Sequence, residues 1–277
     1  MERIINKVKI FPNKNEESLV LKSKVLEILE KYHFEIVEED YDLGIAIGGD
    51  GSFLRMLKQT EFNSNVYYVG INSGTLGFLQ EIKPSEIELF VARINNNDFK
   101  LEEVSIQETT IKTKKESAKF FSLNDIVIRD KELNTTHISI KIDNCLLEDF
   151  VGDGILISTS VGSTAYNLSF GGSIVYGSLH TLQITPIAPL NSKAYRSLLN
   201  SVIIPEDKKI TIVPNKKSNF IVSVDGTNQV YKNVLEIITR VGDKKIFCLR
   251  MNEYNYSNII HEKFLKWKAY SCNMLLS

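Results

Sequence analysis

The sequence LGIAIGGDGS, residues 43–52, joins a continuous apolar run to a glycine-rich turn. Such a run, cut off by Gly48-Gly49-Asp50-Gly51, reads as a buried strand that ends abruptly. Ser52 then reads as the cap of a helix carrying Phe53, Leu54 and Leu57. The pattern recurs downstream, where residues 66–71 form a second apolar run closed by Asn72-Ser73-Gly74. Upstream, residues 8–11 form a short strand closed by Pro12 and Asn13. Residues 17–32 set Leu19, Val20, Leu26, Ile28 and Leu29 among Lys and Glu, the pattern of an amphipathic helix. Strands alternating with helices build a parallel sheet, and ligands bind beyond the carboxyl ends of its strands. Residues 1–100 are therefore expected to form an α/β domain with a Rossmann-like parallel sheet, both glycine turns lying at strand carboxyl ends.

From about residue 101 the texture changes. Residues 104–112, 137–142 and 209–213 alternate, and residues 234–238 and 245–249 are short apolar runs. Turn signals fall between them at Asp143-Asn144, Pro205-Glu206-Asp207, Asp225-Gly226 and Gly242-Asp243. A mostly antiparallel, β-rich domain is expected over residues 101–249, with Asn95-Asn96-Asn97 marking the boundary and a return to helix after residue 252. Residues 154–192 hold no Asp, Glu, Lys or Arg, where a 24% charged chain should place about nine. That stretch suits either plain core or backbone lying close to a ligand or another subunit. Its hydroxyls and glycines, Gly162-Ser163-Thr164-Ala165-Tyr166, favour the ligand.

The whole chain has 277 residues and a net charge of -1, which argues against a general nucleic-acid binder. No apolar run approaches the roughly 18 residues of a membrane span, and the start MERIINKVKI lacks the apolar core of a signal peptide. Three separated cysteines exclude a disulfide framework and a zinc ribbon. A cytoplasmic protein with no membrane or nucleic-acid partner is expected. His33, His137, His180 and His261 show no metal spacing, so no side chain is assigned to a metal.

Four motifs carry chemistry. In Gly48-Gly49-Asp50-Gly51-Ser52, successive N–H groups and a following helix start form an anion cradle, which suggests phosphate binding by Gly48, Gly49 and Gly51. Asp50 inside an anion cradle makes sense if it contacts an acceptor hydroxyl or a divalent cation; otherwise it is a helix cap. In NSGTLGFL (72–79), Phe78 either covers a flat ring or anchors the core. Asn124 and Asp125 interrupt an apolar run; an amide can pair with an adenine edge and a carboxylate can accept from ribose hydroxyls, but taken alone the pair reads better as a β-bulge or strand-end turn. The fourth motif, GDGILISTSVGSTAYNLSFGG (152–172), offers hydroxyls for a sugar and diphosphate and Tyr166 for a base. Asp225-Gly226 reads as a hairpin turn.

Together and in this order, these motifs resemble those of the NAD kinase family, and HEKFL (261–265) is similar to the family's C-terminal end. GGDG alone also occurs in phosphofructokinases and in lipid kinases; the GSTAY block separates this chain from them. The resemblance implies phosphoryl transfer from ATP or polyphosphate to the 2′-hydroxyl of the adenosine ribose of NAD, with Mg²⁺ accompanying the donor. It implies Asp50 as the catalytic aspartate and Gly51, Arg55, Phe78, Asn124, Asp125, Ser163, Thr164, Ala165, Tyr166 and Ser169 along the substrates, with Asp153 and Ala188 near the ends of the dinucleotide. It further implies a segment, residues 250–277, returning to the first domain, and homo-oligomers (dimer or tetramer) whose sites draw on neighbouring subunits. The chain departs from the family in Asp125, where Glu is common, and in Ser160-Val161, where Pro-Thr is usual. A lipid or sugar kinase, and a dinucleotide sensor without catalysis, are the competing readings.

Overall fold

Parallel strands are apolar on both faces and need cover on both. The computed structural model describes residues 4–74, 77–216 and 218–266. In it β1 (Lys7–Pro12), β2 (Glu35–Ile36), β3 (Leu43–Gly48) and β4 (Tyr67–Asn72) run parallel in the order β4-β3-β1-β2. On one face, α1 (Glu16–Lys31) buries Leu21, Val25, Ile28 and Leu29, a stripe at helical spacing. Beside it α3 (Ile87–Asn95), a helix the sequence pattern did not assign, adds Ile87, Phe90, Val91 and Ile94 to the same core. A separate core holds α2 (Asp50–Gln59), whose Phe53, Met56 and Leu57 pack with Ala46 and Tyr68.

The second half is antiparallel, as expected. Its strands are β5 (Lys100–Thr113), β6 (Ser117–Ser122), β7 (Asp125–Asp130), β8 (Thr136–Ile142), β9 (Cys145–Gly152), β10 (Gly154–Thr159), β11 (Thr181–Ile187), β12 (Val202–Pro205), β13 (Lys209–Pro214), β14 (Ser218–Val224) and β15 (Thr227–Arg250). The hydrogen-bonded path β12-β11-β10-β7-β14-β15-β4-β3-β1-β2 makes one continuous sheet of both halves. The joint is β15, which pairs antiparallel with β5 and then parallel with β4 through Phe247↔Tyr67 and Cys248↔Tyr68. The two runs at 234–238 and 245–249 are thus one strand. Gly242-Asp243 is not a turn between them but a break in register between Val241 and Lys245. The turn at Asp225-Gly226 does close a hairpin, with Val224 opposite Thr227.

The charge-free stretch is in large part core. Every residue of β10 is buried, and so is β11 after Thr181. Charged side chains there would have no partner in a strand-filled interior.

Past β15 the chain turns back toward the first half as α5 (Tyr256–Ile260) and a π-helical turn, His261–Leu265. Arg250 fixes the exit. It is 8% exposed, its Nε donates to Glu102 Oε2 (2.7 Å), and Glu81, its second partner, accepts the Met251 N–H (2.7 Å). Burial pushes the Glu81 carboxyl up to about 7, against the pull of Arg250. The remainder of the expected C-terminal segment, residues 267–277, lies outside the described residues. Replacing Arg250 by Met strands two carboxylates in this network, so Arg250→Met should lose about 3 kcal/mol of stability in a urea titration.

Candidate active site

Gly48 and Asn72 face each other in register at the carboxyl ends of β3 and β4. The two glycine motifs therefore leave the sheet side by side. Gly49, not Ser52, stands at the N-cap of α2; Ser52 is buried in the first turn, where its hydroxyl accepts from Arg55 Nη2 (3.1 Å). Asp50 takes the first helical position, where a negative charge suits the helix dipole. Its carboxylate accepts the N–H groups of Phe78 (3.0 Å) and Leu79 (2.9 Å). Gly77 permits this approach, since a Cβ there would lie 2.0 Å from Asp50 Oδ1. Gln80 adds a bond from its Nε2 to the Gly49 carbonyl (2.8 Å). Gly49 and Gly51 face open space, and a Cβ on either would meet no atom within 4 Å. Beside them Gly51, Arg55, Lys58 and Thr227 line a cavity of about 400 Å³. Thr75 and Leu76 of the second motif lie outside the described residues.

Asn124 lies in the bend between β6, which stops at Ser122, and β7, which Asp125 opens. The Asn124 carbonyl accepts from Thr159 N–H (2.9 Å), and Gly162 packs so closely that a Cβ would stand 1.9 Å from that oxygen. Asp125 lies opposite Ser158 of β10. Burial, and then the neighbouring Asp225 charge, push the Asp125 carboxyl up to about 7.

The GSTAY block folds into a 3₁₀ turn (Val161–Thr164) and a four-residue helix, α4 (Tyr166–Ser169). The Ser163 hydroxyl is buried and exchanges bonds with the Val175 backbone, donating to its O (3.2 Å) and accepting from its N–H (3.0 Å). The Thr164 hydroxyl turns back to Val161 O (3.4 Å), and the Ala165 N–H reaches Gly162 O (2.9 Å). Tyr166 is 46% exposed and edge-on to Phe170; Ser169 is exposed. The centre of the block is Asn167, which sequence reasoning passed over. Its amide donates to Ser163 O (3.2 Å) and Gln183 Oε1 (3.3 Å) and accepts from Thr185 Oγ1 (2.6 Å). The one signal for it was a fully amidic side chain inside a charge-free stretch.

Tyr256 was missed as well. Its ring lies 6.4 Å from that of Phe78, and its hydroxyl donates to Val175 O (3.3 Å). Phe264 (5.6 Å between centroids) and the Lys263 ammonium (5.5 Å) also meet the Phe78 ring. The C-terminal segment thus links Phe78 of the second glycine motif to Val175, the residue whose backbone bonds Ser163.

Asp153 and Ala188 do not join this group. Both are exposed at the opposite ends of β10 and β11, where Asp153 N–H donates to Ile187 O (3.0 Å). A six-residue strand such as β10 is roughly 17 Å long.

A carboxylate set at a helix start between two glycine turns, with open space over Gly49 and Gly51, has the geometry of a phosphate-handling site. Residues 6–99 match the model of the ATP-NAD kinase N-terminal domain, and residues 123–247 that of the ATP-NAD kinase C-terminal domain. An NAD kinase of Finegoldia magna is 38% identical over 273 residues, covering 95% of this chain and 98% of the relative. One of Leuconostoc mesenteroides is 30% identical over 261 residues, covering 94% and 98%. In fold, the chain is similar to a yeast NADH kinase complexed with NADH (TM-score 0.82, 22% identity, 97% of this chain and 90% of that one). It is also similar to an NAD kinase from Archaeoglobus fulgidus in complex with ATP (TM-score 0.74, 21% identity, 93% and 97%). The chain belongs to the NAD kinase family.

The raised Asp125 carboxyl has a consequence for stability. A carboxyl moved up from 3.8 to about 7 favours folding fully below pH 3.8, and that contribution is lost as pH rises to 7. Asp125→Asn should therefore denature at higher urea than the parent at pH 8, with the gap closing as pH falls toward 4.

Proposed function

We propose that this chain transfers the terminal phosphoryl group of ATP or polyphosphate to the 2′-hydroxyl of the adenosine ribose of NAD, giving NADP. The observation that carries the reading is the Asp50 carboxylate, fixed by the Phe78 and Leu79 amides between two glycine turns. In the transfer, the ribose 2′-oxygen forms a bond to phosphorus, the bond to the leaving diphosphate breaks, and Asp50 takes the hydroxyl proton. Such transition states are loose, so position and charge supply most of the rate. Each carboxylate oxygen still has a lone pair beyond the one engaged by an amide. The open space over Gly49 and Gly51 admits the donor phosphates, with Arg55 alongside. Asn124 and Asp125 would take the adenosine, Tyr166 its base, and Phe78, Ser163, Thr164, Ala165 and Ser169 would wall it. Because the Ser163 and Thr164 hydroxyls bond within the fold, their contribution is the shape of the wall and main-chain groups. The names of the relatives and the ligands of the similar structures, NADH and ATP, support this choice of substrates.

Mg²⁺ is expected to arrive with the donor. Among the described residues no three His, Cys, Asp or Glu side chains gather to hold a metal, and Asp50 already serves two amides. Among the described residues the side chains form no cage for the ion, so the donor's own phosphates would carry it.

The same reading makes the enzyme a cytoplasmic homo-oligomer, dimer or tetramer, divided at about residues 100 and 249 with the last segment returning to the first domain. Asp153 and Ala188, far from Asp50 within one chain, would complete a neighbour's site. Exposed Leu190, Tyr195, Leu198, Leu199 and Ile203, in the segment following Ala188, offer apolar surface for that contact.

The direct test is incubation with NAD, ATP and Mg²⁺, following NADP with a coupled dehydrogenase; NAD bound without NADP formed would refute the reading. Asp50→Asn should bind NAD and lose at least about 100-fold in kcat. Near-normal turnover would remove Asp50 from its role. Mixing Asp50→Asn chains with Asp153→Ala chains should restore activity that neither has alone, because one site of the mixed oligomer is intact. For Tyr166→Ala, NAD binding should weaken by about 1–3 kcal/mol, read by calorimetry.

A further inference from the structure

The Asp225-Gly226 tip needs no acid. With φ of 43° at Asp225 and 77° at Gly226, both positions are left-handed, and Asn-Gly serves such a turn equally well. Yet the Asp225 carboxylate is turned inward. It accepts three consecutive main-chain N–H groups, those of Leu123 (3.0 Å), Asn124 (2.8 Å) and Asp125 (3.2 Å). The bonds cross about a hundred residues of chain. The same tip is gripped from the other side by Lys58, whose Nζ donates to Val224 O (3.1 Å), Asp225 O (3.3 Å) and Thr227 Oγ1 (2.9 Å). Lys58 stands on α2, two turns beyond Asp50. One hairpin tip therefore holds both the helix that starts at Asp50 and the corner that carries Asn124 and Asp125.

We propose that Asp225 is a positioning residue for the coenzyme: its carboxylate sets the orientation of the Asn124–Asp125 corner, and Lys58 locks that corner at a fixed offset from Asp50. The inference deepens the NAD kinase reading and rests on it. Asn124 and Asp125 are joined to the rest of the site by main-chain bonds, so their side-chain directions follow whatever aims those amides. Three amides converging on one carboxylate leave that corner little freedom, and charged acceptors make the strongest such bonds. A simple hairpin cap would need no link to α2. The acceptor corner and the helix of Asp50 already share one core, in which Leu123 packs with Phe53, Met56 and Leu57, and the hairpin tip adds directed bonds to both.

Asp225→Asn keeps the left-handed backbone, which Asn tolerates, and removes the charge that three amides share. Its KM for NAD should rise about tenfold, with the KM for ATP unchanged. An unchanged KM for NAD overturns the proposal. So does a rise in both KM values together with a lowered melting temperature, which would mark a purely structural cap. A second measurement needs no variant: hydrogen exchange of the Leu123, Asn124 and Asp125 amides in the unmodified chain. They should be protected like strand amides; exchange at open-loop rates overturns the hold of Asp225 even where the variant does not fold. An unmodified chain that makes no NADP counts against the reaction, while the exchange result still decides whether Asp225 holds this corner.

Discussion

Two main-chain N–H groups pointing at one carboxylate organise the first half of the molecule. For Phe78 and Leu79 to reach Asp50, β3 and β4 must lie side by side and end at the same level, as Gly48 and Asn72 do. The chain must then double back within a few residues, and position 77 must carry no side chain. The acid sits at a helix start, where its charge is favoured, and its rotamer is fixed before any substrate arrives. In the proposed reaction such a carboxylate does not have to be reoriented, which is where positioned groups gain most of their rate.

The second half reaches the same place by a different construction. Three antiparallel strands, β7, β10 and β14, run alongside one another, so that Asp125, Ser158 and the residues before Asp225 arrive at one end of the sheet. The wall beyond them is shaped by a buried polar network of Asn167, Gln183 and Thr185. Such networks hold one geometry when every member is satisfied. They also explain why hydroxyl-rich sequence there need not mean free hydroxyls: Ser163 gives its own to Val175.

Much of this was legible in the sequence where the signal is local. The apolar runs before Gly48 and Asn72, the helix at α1 and the alternating strands at β8 and β13 each follow from patterns a few residues long. Two errors came from local signals that tertiary pairing overrode. Gly242-Asp243 has turn chemistry, but β5 runs past it and keeps β15 extended. Ser52 has cap chemistry, but the helix begins two residues earlier at Asp50, where distant amides from 78 and 79 stabilise the acid. The site residues were marked by composition, whereas their arrangement was not. The holds by Asp225 on 123–125 and by Tyr256 on Val175 link positions about eighty to a hundred apart, and no spacing rule connects them. The separation of Asp153 and Ala188 from Asp50 likewise depends on the length of β10, not on any motif.

The pairing of β15 with β4 also orders events in time. Synthesis proceeds from the N-terminus, and domains tend to fold as they emerge from the ribosome. β1, β2, β3 and their helices are all available early, and Ile82 pairs with the outer side of β4 at Ile71, but Tyr67 and Tyr68 have no strand beside them there until Phe247 and Cys248 have been made. Through most of translation the nascent chain therefore presents an open stretch of strand edge at Tyr67 and Tyr68, the kind of surface that invites pairing with the wrong partner. Tyr67 and Tyr68 gain this strand only after about 180 further residues have been made, which makes β15 the step that commits the molecule to its final form.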